Sequence, residues 1–159
     1  MKKLILETFL PYRMNRLAAS ISQEFRSVYG RYHDLTVPEW RVLATLGEYE
    51  TMGAKAIGAH SSMHKTKVSR AVRALEERRW LVRETHPTDR REEVLRLTVR
   101  GRAVYGEIVP KALAFEGKMI ETLGVEVDGF FSGLRNLEMG LGAAGEEASN
   151  EKPLANPPE

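Results

Sequence analysis

GAKAIGAHSSMHKTKVSRAVRALEERRWLVRETHPTDRREEVLRLTVRG, residues 53–101, carries two helical patterns, a tight turn and two strand-like runs around an arginine-rich tip. The first pattern predicts a short helix over 54–60. Ser61-Ser62-Met63 reads as a turn, and a longer helix follows from about His64 to Arg78. Val94, Arg96 and Thr98 alternate with Leu95 and Leu97, so 94–98 reads as a strand, and 81–85 as its partner. Pro87-Thr88-Asp89-Arg90 between them has turn chemistry.

At 100° per residue, Val68, Ala71, Val72 and Leu75 share one side of the 64–78 helix and should face a core. Thr66, Arg70 and Arg73 fall opposite, with Lys67 and Ser69 on the flanks and Lys65 at the start. Such a face can donate to phosphates and base edges; an arginine can pair both acceptors of guanine in the major groove. Arg90 and Arg91 sit at the hairpin tip, where a guanidinium can enter a narrow minor groove. Asp89 beside them would be repelled by phosphate, so it is expected to pair internally and shape the tip. Short helix, turn, basic helix and basic hairpin together predict a winged helix-turn-helix, mainly α with a small β-wing.

Charge agrees with this reading. The 159 residues carry a net charge of only +2. His60–Arg102 holds twelve Lys/Arg against six Asp/Glu, a net +6, which leaves the remainder at −4. A basic block in a nearly neutral chain is the footprint of a polyanion-binding face. A solvated surface without a partner is the plain alternative, because basic patches are common.

Outside the block, Leu10, Met14, Leu17, Ile21, Phe25 and Val28 form one apolar stripe, predicting a helix from Phe9 to Tyr29 that ends at Gly30. Pro11 fits its first turn. A second helix starts at Thr36 or Val37, with Pro38 near its first position, and runs to about Tyr49. A long helix over 99–123 contains Pro110, which predicts a kink, and a last helix covers roughly 126–141. The outer helices are amphipathic, and a second copy of the chain is the economical cover for them. Residues 1–142 therefore read as one domain. Its DNA-binding lobe spans about 36–100 and its dimerisation helices about 9–30 and 99–142, with 143–159 expected to be a flexible tail.

Composition excludes several classes. The absence of cysteine rules out disulfides, Cys-ligated zinc and thiol redox sensing. The apolar run near the N-terminus is broken by Glu7 and Pro11, unlike an export signal, and no run approaches the ~20 residues of a membrane span. A cytoplasmic protein is expected. No phosphate-binding glycine loop, nucleophile elbow or paired catalytic carboxylate motif is present, so no enzyme activity and no cofactor are expected.

On LPYRMNRLA (10–18), VPEWRVLATL (37–46), KTKVSRAVRALEER (65–78) and DRREEVLRLTVRG (89–101), the chain resembles the MarR (multiple antibiotic resistance regulator) family of transcription factors over roughly residues 9–141. The last segment matches that family's D-x-R…L-T-x-x-G wing pattern. The resemblance implies a homodimer joined through its first and last helices and a pseudo-palindromic operator. It also implies repression relieved by a small ligand, with Arg91 as the wing arginine and Arg70 in the recognition helix. Two positions depart from the family. His64 stands where relatives often carry Asp as the helix cap, and Arg79 where they usually have Gly. A left-handed Arg79 costs about 1 kcal/mol.

In the family the effector pocket lies between dimer helices and DNA lobe. Tyr12, Arg16, Trp40, Arg41 and Tyr105 are the corresponding candidates, and aromatics with arginines suit an aromatic carboxylate or an aromatic acyl thioester. The alternative is that Trp40 belongs to the core and Arg41 pairs with a local carboxylate. His60 and His64 have a metal-compatible spacing but straddle the turn, so no metal site is expected; His33 and His86 read as ordinary surface or loop residues. The expected partners are double-stranded DNA, a second copy of the chain and a small effector, with no membrane. A metal-gated regulator and a winged-helix protein-interaction module are the competing readings.

Overall fold

The computed structural model describes residues 3–85 and 93–142, apart from the side chains of residues 31 and 32. A 3₁₀ turn at Leu6–Thr8 leads into α1 (Leu10–His33), followed by α2 (Val37–Tyr49), β1 (Thr51–Met52), α3 (Ala54–His60) and α4 (Lys65–Glu77). Strands β2 (Leu81–Thr85) and β3 (Glu93–Leu97) precede α5 (Val99–Leu123), a 3₁₀ turn at Gly124–Glu126 and α6 (Val127–Gly140). The result is mainly helical with a small antiparallel sheet, as the sequence predicts. No helix among the described residues is long and apolar enough to cross a membrane.

Two compact units meet between Glu116 and Gly117, inside α5. The first holds the core. Val42, Leu43 and Leu46 of α2, Ile57 of α3, Val68, Val72 and Leu75 of α4, and Leu81, Leu95 and Leu97 of the sheet are buried together with Val104 and Ile108 of α5. The core face expected for α4, Val68, Ala71, Val72 and Leu75, is the buried set observed. In the second unit, Phe130 and Phe131 meet edge to face, with ring centroids 5.6 Å apart.

The sheet order is β1-β3-β2, with Leu81 opposite Leu97 and Thr51 opposite Arg96. The sequence gives no sign of β1, because two residues are too short to show a period of two. The second wing strand ends at Leu97, one residue earlier than expected. Thr98 leaves the ladder to cap α5: its hydroxyl accepts from the Gly101 N–H (3.0 Å) and donates to the Arg79 carbonyl (2.8 Å).

The first helix also differs from expectation. It continues through Gly30 to His33 and stops at Asp34, which is left-handed (φ 49°) and bonds back to the Gly30 carbonyl. Asp tolerates that conformation through its short polar side chain. Arg78 satisfies the carbonyls of this helix end, donating to His33 (2.6 Å) and Asp34 (2.9 Å). That partner lies 44 residues away, out of reach of any local signal. His33 is consequently largely covered rather than on the surface, with Nε2 3.4 Å from a Glu107 oxygen. The next helix has Thr36 as its cap, in a reciprocal box with Glu39. α5 is helical on both sides of Pro110.

At the end of α4, Arg79 N–H bonds the Glu76 carbonyl (2.8 Å) and Trp80 N–H the Leu75 carbonyl (2.9 Å), a Schellman closure with Arg79 at φ 60°. Trp80 then runs under α5, where a Cβ added at Gly101 would lie 2.0 Å from the Trp80 carbonyl oxygen. Gly101→Ala should lower stability by at least about 2 kcal/mol, because backbone rather than a flexible side chain must move; denaturant unfolding measures it. Arg79→Gly should raise stability by up to about 1 kcal/mol by relieving the left-handed arginine. An unchanged midpoint would show that the Arg79 side chain compensates for the strain.

Candidate nucleic-acid interface and effector cleft

Helix α4 presents its polar face as the wheel requires. Lys65, Thr66, Lys67, Ser69, Arg70 and Arg73 are all exposed, and the helix is anchored from behind by its buried face. Its start is capped by His64, whose Nδ1 accepts weakly from the Thr66 N–H at 3.4 Å. The imidazole thus serves as the side-chain cap of α4.

The charge of the basic block is distributed unevenly. Arg73 pairs with Glu77 one turn on (3.0 Å). Arg78 is spent on the carbonyls of α1 and lies over the Trp80 ring. Arg83 bridges Glu76 of α4 (2.9 Å) and Glu93 of β3 (3.1 Å), and Arg96 pairs with Glu84 across the hairpin. The hydrogen bond from Arg96 holds the Glu84 carboxyl below its ordinary range, so this pair persists at neutral pH and is lost only in acid. Lys65, Lys67 and Arg70 have no carboxylate partner among the described residues. Uncompensated charge on the described part of α4 therefore lies in its first two turns, where the helix dipole is also positive.

Asp89, Arg90 and Arg91, and with them the expected internal pairing of Asp89, lie outside the described residues, as do His86 and the 143–159 tail. The strands that carry the tip are in place. The Arg83 bridge ties the middle of β2 and the start of β3 to the last turn of α4, which sequence reading missed because the partners come from three elements.

The effector candidates fall in three places. Trp40 and Arg41 line an open cleft of about 360 Å³ with Thr45 and Glu48 of α2 and His60 and Ser61 of the helix-turn-helix. Tyr12 and Arg16 lie together on α1, the guanidinium carbon 5.8 Å from the ring centroid. Tyr105 covers Gly47, where a Cβ would sit 2.5 Å from its ring. Trp40 also belongs to an aromatic cluster, stacked on Tyr29 (5.5 Å, 11°) and edge-on to Phe25 (5.6 Å). Burial pushes the Tyr29 phenol up, and Arg26 and Arg41 draw it partly back, so it stays neutral at physiological pH. Arg41 Nη1 donates to the Ser61 carbonyl (3.1 Å), not to a carboxylate. His60 packs edge-on to Tyr49 (5.0 Å), and the described residues contain no group of three or more potential metal ligands.

A basic helix set against a three-stranded wing defines a winged helix-turn-helix DNA-binding protein. Residues 35–92 match the MarR family. The chain is 30% identical over 105 residues to the uncharacterised HTH-type transcriptional regulator YwoH of Bacillus subtilis, covering 66% of this chain and 73% of that protein. A MarR family transcriptional regulator from Silicibacter pomeroyi DSS-3 superposes with a TM-score of 0.74 at 28% identity, over 87% of this chain and 99% of that one. NadR in complex with 4-hydroxyphenylacetate superposes with a TM-score of 0.73 at 19% identity, over 91% and 99%. The chain belongs to the MarR family of DNA-binding transcriptional regulators, which are not enzymes.

Arg83 is 39% and Glu93 66% exposed, so their bridge contributes little to stability. Arg83→Gln should cost less than about 1 kcal/mol in a thermal melt, and the difference should shrink in high salt.

Proposed function

We propose that the chain is a cytoplasmic, homodimeric repressor that binds a pseudo-palindromic operator and releases it on binding a small aromatic carboxylate. The observation that carries the DNA reading is the free charge of Lys65, Lys67 and Arg70 on an exposed helix whose opposite face is fully buried. Thr66 and Ser69 add neutral donors to the same surface, and Arg90 and Arg91 supply the minor-groove contact, with Asp89 shaping the tip. Dimerisation is supported by apolar side chains left exposed on the terminal helices. Leu10 and Leu17 of α1 and Phe130 and Leu137 of α6 are each 40–50% exposed, and Leu141 just beyond α6 is 81% exposed. These are the stripes a second copy would cover. The aromatic acid is supported by Trp40 and Arg41 in one cleft, and by the 4-hydroxyphenylacetate bound to the structurally similar NadR.

A gel shift on the DNA beside the chain's own gene tests the reading. Wild-type affinity should be sequence-selective and fall steeply with salt. Arg70→Ala should cost about 1–3 kcal/mol and relax preference at one base pair, as for a bidentate contact. Arg91→Ala should weaken chiefly the sites with A/T-rich flanks. Binding indifferent to sequence would sink the operator reading. Indifference to salt would favour a protein-interaction module, and a response to chelator would favour metal gating.

A further inference from the structure

A guanidinium on a backbone carbonyl holds the chain on either side of α4, at its C-terminal cap and at the turn that precedes it, and the two ties differ in one respect. At the C-terminal end, Arg78 holds the carbonyls of His33 and Asp34, and its guanidinium also lies 4.0 Å from Glu39 and 5.1 Å from the Trp80 ring centroid. An incoming anion would have to displace Glu39. Before α4, Arg41 holds the carbonyl of Ser61, the C-terminal cap of α3, is exposed, and has no carboxylate partner among the described residues. This tie faces the open cleft.

We propose that Arg41 is the switch of this regulator. Its hydrogen bond to Ser61 steadies the helix-turn-helix turn in the DNA-binding state, and the carboxylate of an aromatic acid seated in the cleft takes the guanidinium away. This deepens the effector reading above and rests on it. The exchange is favourable in its direction. A carboxylate offers the guanidinium a full opposite charge and a second, parallel hydrogen bond, where the Ser61 carbonyl accepts one. The Ser61 carbonyl lies at an exposed bond, so water can replace the lost donor. The turn needs holding, because Ser62 is left-handed (φ 51°) without being glycine. Two residues later comes His64, the cap of α4, followed by Lys65, Lys67 and Arg70. A loosened turn therefore acts on the half of the helix that carries the free charge.

The cleft also has a polarity that narrows the ligand. Arg41 and Glu48 lie seven residues apart on α2, on nearly the same face and about 10 Å apart along the axis. Trp40 and Ala44 lie along the same wall. An aromatic ring with a carboxylate at one end and a hydrogen-bond donor at the other meets Arg41, the apolar wall and Glu48 in turn.

Calorimetry and gel shifts with 4-hydroxyphenylacetate, its uncharged amide and benzoate test this on wild type, Arg41→Met and Arg41→Lys, with thermal melts establishing that each variant folds. Without ligand, Arg41→Met should bind the DNA beside the chain's own gene about tenfold more weakly than wild type, and Arg41→Lys should recover most of the loss. 4-Hydroxyphenylacetate should bind wild type more tightly than benzoate and release the DNA, while the amide does neither and Arg41→Met fails to respond. If Arg41→Met keeps wild-type DNA affinity and is still released by the acid, the switch is overturned while the aromatic-acid reading survives. If wild type takes up neither acid, both fall.

Discussion

The hydroxyl of Thr98 stands at the joint where recognition helix, wing and long helix meet. It accepts from the Gly101 N–H and donates to the Arg79 carbonyl, and the Thr98 N–H bonds the Trp80 carbonyl at 3.0 Å. One residue thereby caps α5, ends β3 and fixes the turn that follows α4. The close approach requires Gly101, because a Cβ there would overlap the Trp80 backbone. It also fixes the direction in which the chain leaves α4, and Arg79 takes a left-handed conformation to meet it. The L-T-x-x-G pattern is the local record of this joint: Leu97 fills the core, Thr98 bridges and Gly101 leaves room.

Around that joint, positively charged side chains have two distinct tasks. Some are structural. Arg78 finishes the first helix by bonding its last carbonyls, Arg83 braces the wing against α4, and Arg96 ties the two wing strands. Each has been neutralised or committed within the fold. Lys65, Lys67 and Arg70 have no carboxylate partner among the described residues and stand on a helix whose reverse side is packed against the core and whose dipole adds to their charge. The net +6 of the basic block is therefore a poor measure of the charge left free on its surface. What matters is which cations the fold leaves uncommitted, and on the described part of α4 these lie in its first two turns.

Much of this was legible in the sequence because it rests on short-range periodicity. The buried face of α4 follows from Val68, Ala71, Val72 and Leu75 falling within one arc, and the wing strands from alternation around Leu95 and Leu97. Elements set by distant partners were not legible. Asp34 rather than Gly30 ends the first helix because Arg78, 44 residues on, supplies the missing donors. β1 exists only because β3 lies beside it. The candidate effector residues likewise separate in space: Trp40 and Arg41 share a cleft, whereas Tyr105 packs on Gly47.

The sequence alone determined the fold class, the buried and exposed faces of α4 and the family, since each is written in spacings of two to seven residues. Only the tertiary structure decided which arginines are free and which are committed, where the first helix stops, and that Arg41 reaches the turn before α4. Those outcomes depend on carbonyls and carboxylates brought together from elements up to 45 positions apart, and a pairing of that kind leaves no periodic trace along the chain.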